Sequence, residues 1–121
     1  MASAPIQPQR VLILDDQPSF AEMMALSLRT AGFIAEGFTS PRLALEKIAD
    51  FDILITDYHM PEMTGLEVAK EAHARGWRGS LLLMSGRRQD LPEDALHPLF
   101  QSVMQKPFST ADLVTVLRDL T

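Results

Sequence analysis

The 121-residue chain contains no cysteine. That absence removes disulfides, thiolate metal sites, iron–sulfur clusters and cysteine nucleophiles together, and it fits a reducing, cytoplasmic setting. Positive charge is also short: 11 Lys and Arg stand against 16 Asp and Glu, a formal net charge of -5. Such an acidic balance repels a phosphate backbone, so this domain is not expected to bind nucleic acid. No apolar run approaches the roughly 20 residues of a membrane-spanning helix. The N-terminus, Met1-Ala2-Ser3-Ala4-Pro5, lacks the charged and apolar regions of a signal peptide. What is present is enough apolar sequence, 46% of residues, for one sizeable core. A chain of this length is expected to fold as one domain that buries about two-thirds of its unfolded surface.

Residues 1–9 are rich in Pro and Gln and read as a disordered lead-in, leaving 10–121 as the folded domain. Short apolar runs recur along the rest. Val11-Leu12-Ile13-Leu14 stops at Asp15-Asp16, Ile53-Leu54-Ile55 stops at Thr56-Asp57, and Leu81-Leu82-Leu83-Met84 stops at Ser85. Runs this short suit strands covered on both faces, as in a parallel sheet. Further strands are expected over Phe33–Gly37 and Ser102–Gln105.

The intervening stretches read as helices. Pro18 suits a first helical turn, with Phe20, Met23, Met24, Leu28 and Ala31 at helical spacing before a stop at Gly32. Ser40-Pro41 opens a second, carrying Leu45, Ile48 and Ala49 on one side. Thr64 opens a third, with Leu66, Ala69 and Ala72, ending at Gly76. Ser109 and Asp112 resemble a capping box ahead of Leu113, Val116, Leu117 and Leu120. Between Leu91 and Phe100 the helical reading is weakest, because Pro98 should end any helix that Pro92 begins. Met23, Met24, Met60, Met63, Met84 and Met104 read as core or semi-buried fillers, Met60–Met63 alternatively as the edge of a docking groove. Trp77 is expected to pack locally, and His73 and His97 to lie at the surface or at helix ends. This alternation implies an α/β fold: a doubly wound, five-stranded parallel sheet with helices on both faces.

Ligands of open parallel sheets bind at the carboxyl ends of the strands. The residues ending the expected strands are Asp15 and Asp16, Asp57, Ser85 and Lys106. Close carboxylates need a proton or a cation, and hard oxygen donors suit Mg²⁺. With an ion bound, Asp57 could attack a phosphoryl group and form an aspartyl-phosphate, charge being neutralised by Mg²⁺, Lys106 and the Ser85 hydroxyl. Taken singly the pieces are ambiguous: Asp15-Asp16 also suits a solvated turn, Asp57 a cap, Ser85 a plain strand end and Lys106 a surface lysine.

Taken in order, Asp15-Asp16, Asp57-Tyr58-His59-Met60-Pro61 with Gly65, Ser85, and Lys106-Pro107-Phe108 resemble the response-regulator receiver domain of two-component signalling. The likeness runs from about Val11 to the chain end. It implies the flavodoxin-like fold of chemotaxis regulators and a phosphoacceptor switch in a phosphorelay, phosphorylated on Asp57 by a sensor histidine kinase or phosphotransfer protein. By the same likeness Asp16 and Asp57 would bind Mg²⁺ directly, Asp15 through water, and the main-chain carbonyl of His59 would add a ligand. Ser85 and Lys106 would contact the phosphoryl oxygens, and the peptide before Pro107 would be cis, an isomer cheap only before proline. A downstream effector is the implied partner, a homodimer is left open, and the only catalysis implied is of the domain's own phosphorylation and dephosphorylation.

Two features depart from the family pattern. Val103 stands where an aromatic residue often rotates on phosphorylation, so the aromatic half of the usual switch is missing. His59 and Arg87, each two residues beyond a site residue, are candidate modulators at the mouth of the site, and Gly86 leaves room for a donor. Two rivals stay open. A Mg²⁺-dependent phosphohydrolase with an aspartate nucleophile usually needs a second acid where His59 stands and a cap domain. A pseudo-receiver acting without phosphorylation is opposed by the complete acid set and favoured by Val103.

Overall fold

The computed structural model describes residues 8–86, 91 and 98–120. The expectations for the lead-in up to residue 7, for Arg87, for His97 and for a helix begun by Pro92 lie outside the described residues. Five strands, β1 (Arg10–Leu14), β2 (Ile34–Phe38), β3 (Ile53–Asp57), β4 (Ser80–Ser85) and β5 (Ser102–Gln105), form one parallel sheet in the order β2-β1-β3-β4-β5. Four described helices accompany them: α1 (Pro18–Thr30), α2 (Pro41–Lys47), which runs into a 3₁₀ turn over Ile48–Asp50, α3 (Gly65–Ala74) and α4 (Thr110–Asp119).

The side-chain alternation of the strands builds two cores from one sheet. Val11 and Ile13 of β1 and Ile53 and Ile55 of β3 point to one face, where Met24, Ala25 and Leu28 of α1 and Leu113 and Leu117 of α4 cover them. Leu12, Leu14 and Leu54 point to the other, against Ala44 and Leu45 of α2 and Val68, Ala69 and Ala72 of α3. A central strand buried on both faces needs a continuous apolar run, which is why β1 and β3 show no polar alternation.

Local chemistry starts and stops the helices. Pro18 occupies the first turn of α1, and the Ser40 hydroxyl accepts from the Leu43 N–H ahead of α2. At α3 the Thr64 hydroxyl accepts from the Glu67 N–H at 3.1 Å while the Glu67 carboxylate accepts from the Thr64 N–H at 2.9 Å, a full reciprocal cap. Gly76 follows α3 at φ 91°, a conformation that side chains disfavour. The Trp77 indole N–H donates to the Phe51 carbonyl at 2.8 Å, and the ring packs partly buried against the core that α2 and α3 cover.

Several expectations are corrected. The β2 strand lies at Ile34–Phe38, one residue later than expected, because its register to β1 pairs Ile34 with Arg10 and Phe38 with Leu14. Met23 is 55% exposed, whereas Ala21, Met24, Ala25 and Leu28 form the buried stripe of α1. Ala49 is exposed, since the change from α-helix to a 3₁₀ turn at Ile48 rotates it off the buried face held by Ala44, Leu45 and Ile48. Ser109 accepts from the Asp112 N–H at 3.0 Å, but the box stays half-formed, the aspartate being one methylene shorter than the Glu67 that closes the box at α3.

Gly65 opens α3 where its N–H donates to the Tyr58 carbonyl at 2.8 Å. A Cβ there would sit 2.5 Å from the carbonyl oxygen of Asp57, closer than backbone tolerates. Gly65→Ala is therefore expected to lower stability by about 1–3 kcal/mol, the usual cost of overpacking, against a helix-propensity gain of under about 1 kcal/mol. Urea unfolding monitored by circular dichroism checks this; an unchanged midpoint would show that the turn can relax.

Candidate functional site

Parallel strands share a direction, so the residues just past β1, β3, β4 and β5 emerge at one edge. Asp15 follows β1, tied in by its N–H to the Phe38 carbonyl at 3.0 Å. Asp57 ends β3 and Ser85 ends β4. The β3–β4 ladder continues past Asp57 through the Tyr58 N–H to the Met84 carbonyl at 3.2 Å. Lys106 follows β5 and donates its N–H to the Ser85 carbonyl at 2.7 Å. The Lys106–Pro107 peptide is cis.

One carboxylate oxygen each from Asp15, Asp16 and Asp57 can be chosen so that all lie within 4.8 Å of one another. Asp15 is fully buried, Asp57 partly buried and Asp16 exposed, so the cluster runs from core to solvent. Both oxygens of Asp15 are engaged: Oδ1 accepts from the Gln17 N–H at 2.9 Å and Oδ2 from Lys106 Nζ at 2.6 Å. Nζ stands 3.7 Å from Asp57 Oδ1, an ion pair beyond hydrogen-bond length. Among the described residues, three carboxylates against one ammonium leave two formal negative charges in excess. Burial is the largest influence on Asp57 and, with the charges of Asp15 and Asp16, raises its pKa above the ordinary 3.8, while Lys106 and the Tyr58 N–H pull the other way.

The other expected site residues spread outward from this cluster. Ser85 is buried at the same edge, and His59 is exposed with its ring edge-on to Tyr58 at 4.8 Å between centroids. Gly86 is exposed, and a Cβ added there meets no heavy atom within 4 Å, so no packing within the described chain demands glycine. Val103 pairs in register with Leu83 and packs in a separate cluster with Tyr58, Leu66 and Leu83. One neighbour escaped the sequence reading in this role. The Phe20 ring, placed there among core positions, has Lys106 Nζ 4.2 Å from its centroid. No local pattern joins a residue of α1 to a lysine beyond β5.

A group whose pKa is raised by folding loses stability as pH climbs, because the folded state holds the proton more tightly. Asp57 thus costs stability as pH rises from 3.8 through its folded value, and the cost persists above it. Asp57→Asn is expected to unfold at higher urea than the parent at neutral pH in chelator-treated buffer, with the gap narrowing as pH falls toward 3.8. A parent as stable as Asp57→Asn at neutral pH would contradict this electrostatic assignment.

A family model described as "Response regulator receiver domain" matches residues 11–118. The probable transcriptional regulatory protein TcrX of Mycobacterium tuberculosis is 31% identical over 99% of this chain and 53% of its own length. The response regulator receiver protein CpdR of Brucella abortus is 28% identical over 93% of this chain and 96% of its own. Among solved structures, the chemotaxis protein CheY4 of Vibrio cholerae superimposes with a TM-score of 0.85 at 27% identity, covering 95% of this chain and all of that one. The response regulator TrrA of Thermotoga maritima, in complex with Mg²⁺ and BeF, matches at a TM-score of 0.78 and 25% identity, covering 93% of this chain and 99% of that one. The chain spans about half the length of TcrX and of the transcriptional regulatory protein FixJ of Azorhizobium caulinodans. With the match running from β1 into α4, this chain belongs to the response regulator receiver domain family.

Proposed function

We propose that this chain is the phosphoacceptor module of a two-component phosphorelay, with Asp57 as the residue phosphorylated. The observation that carries this reading is the convergence of Asp15, Asp16 and Asp57 within 4.8 Å, with the Lys106 ammonium 2.6 Å from Asp15 and 3.7 Å from Asp57. The donors are all hard carboxylate oxygens with negative charge in excess, which fits Mg²⁺. Asp16 and Asp57 would hold the ion directly, Asp15 through water, and the main-chain carbonyl of His59 would add a ligand. When bound, Mg²⁺ neutralises the carboxylates and the charge on the transferring phosphoryl group.

The chain's own groups do the rest. An Asp57 oxygen attacks phosphorus, the bond from phosphorus to the donor's imidazole nitrogen breaks, and the electron pair leaves with the donor. Lys106 and the Ser85 hydroxyl then contact phosphoryl oxygens, which draws the ammonium from Asp15 toward the new anion. Those contacts bias the module toward a second packing that an effector reads. Val103 supplies no aromatic rotation, so transmission rests on the Ser85 and Lys106 contacts. The donor is a sensor histidine kinase or phosphotransfer protein. The module belongs to the cytoplasm, binds no nucleic acid itself and turns over only its own phosphoryl group. Among the described residues no helix is long and apolar enough to cross a membrane.

Intact-mass spectrometry after incubation with acetyl phosphate tests the reading. A gain of one phosphoryl group that requires Mg²⁺ and is absent from Asp57→Asn is expected; no gain under conditions where Mg²⁺ binds would favour a phosphorylation-independent module. His59 is exposed two residues past Asp57, and Arg87 follows Ser85 by two residues in sequence. His59→Ala and Arg87→Ala are each expected to change the decay rate of the phosphorylated mass, since their bulk and polarity govern how water approaches. Decay rates equal to the parent's would reject that role.

A further inference from the structure

We infer that Phe20 is a positioning residue, whose ring holds the Lys106 ammonium in the orientation that the phosphoacceptor site requires. The inference rests on the role proposed for Lys106 above. Nζ lies 4.2 Å from the centroid of the Phe20 ring, inside the range where the negative face of an aromatic ring attracts a cation. The same atom donates to Asp15 at 2.6 Å and stands 3.7 Å from Asp57. Ring, buried carboxylate and phosphoacceptor thus surround one ammonium.

Lysine has a flexible four-carbon stem and gains little direction from charge alone, because an ammonium is a compact point charge. The ring supplies a boundary. Phe20 packs partly buried against the core of Met24, Leu28 and Leu113, and its height above the sheet edge is set by the first turn of α1. That turn begins at Pro18, and the Phe20 N–H donates to the Gln17 carbonyl at 3.1 Å, while the Gln17 N–H donates to Asp15 Oδ1. A single short segment therefore orients both the aromatic face and the carboxylate that bracket Lys106. The side chains between them, Asp16, Gln17, Pro18 and Ser19, are exposed and take no part in that bracket.

An aliphatic residue of similar size preserves packing but has no quadrupole, so Phe20→Leu separates positioning from support of the core, and Phe20→Tyr restores the ring. The first measurement is the proton chemical shift of the Lys106 side-chain methylenes by ¹H–¹³C correlation in metal-free, unphosphorylated protein. Ring-current displacement in the parent, lost in Phe20→Leu and regained in Phe20→Tyr, is expected. The second is the initial rate of phosphorylation by acetyl phosphate at saturating Mg²⁺. Phe20→Leu is expected to slow it about three- to tenfold, the span of a partly desolvated cation–π contact, with Phe20→Tyr near the parent. In a Lys106→Met background, itself expected to be slow, Phe20→Leu should add no further loss. Undisplaced Lys106 methylenes in the parent would overturn the inference, and so would a rate loss that persists in the Lys106→Met background. If the parent takes up no phosphoryl group, the phosphoacceptor reading fails, and the shift measurement still decides whether Phe20 holds Lys106.

Discussion

Repulsion among three carboxylates at the edge of a sheet is the constraint on which the rest of this structure depends. Asp15, Asp16 and Asp57 can bring oxygens within 4.8 Å of one another, and one lysine cannot neutralise them all. The fold tolerates this crowding by graded burial. Asp15, the deepest, has both oxygens bonded, to the Gln17 N–H and to Lys106, whereas Asp16 stays in water. Asp57, between them, has its pKa raised first by burial and further by the charges of Asp15 and Asp16, against the pull of Lys106. Carboxylates crowded in this way are relieved by a proton or a cation.

Keeping such a cluster in place demands a rigid support, and the doubly covered sheet provides it. Strands β1 and β3 each contribute side chains to two cores, so neither can slide without exposing both faces. Backbone bonds lock the edge itself: Asp15 to Phe38, Tyr58 to Met84 and Lys106 to Ser85 link strands at the level of the acids. Gly65 lets α3 start directly beneath the Asp57 carbonyl. The cost of holding like charges together is thus spread through apolar burial far larger than the local repulsion.

Much of the fold is legible because its determinants are local. The apolar runs of β1, β3 and β4, the proline in the first turn of α1 and the Thr64–Glu67 cap all act within a few residues, so pattern identifies them. Legibility fails where a second element decides. Met23 and Met24 are equally apolar, but only Met24 faces the sheet. The bounds of β2 depend on its register with β1, and Ala49 leaves the buried face because the helix tightens into a 3₁₀ turn before it.

The candidate site divides along the same line. Sequence alone placed Asp15, Asp16, Asp57, Ser85 and Lys106 at strand ends, since a run of apolar residues that stops at a polar one marks where a covered strand emerges. Tertiary structure decided which of them touch. Lys106 meets Asp15 across 91 residues of chain and settles over a ring from α1, while Val103 turns to a cluster apart from the acids. Periodicity encodes which face a side chain takes, but distances between strand ends follow from the order and packing of the assembled sheet, which no local pattern contains.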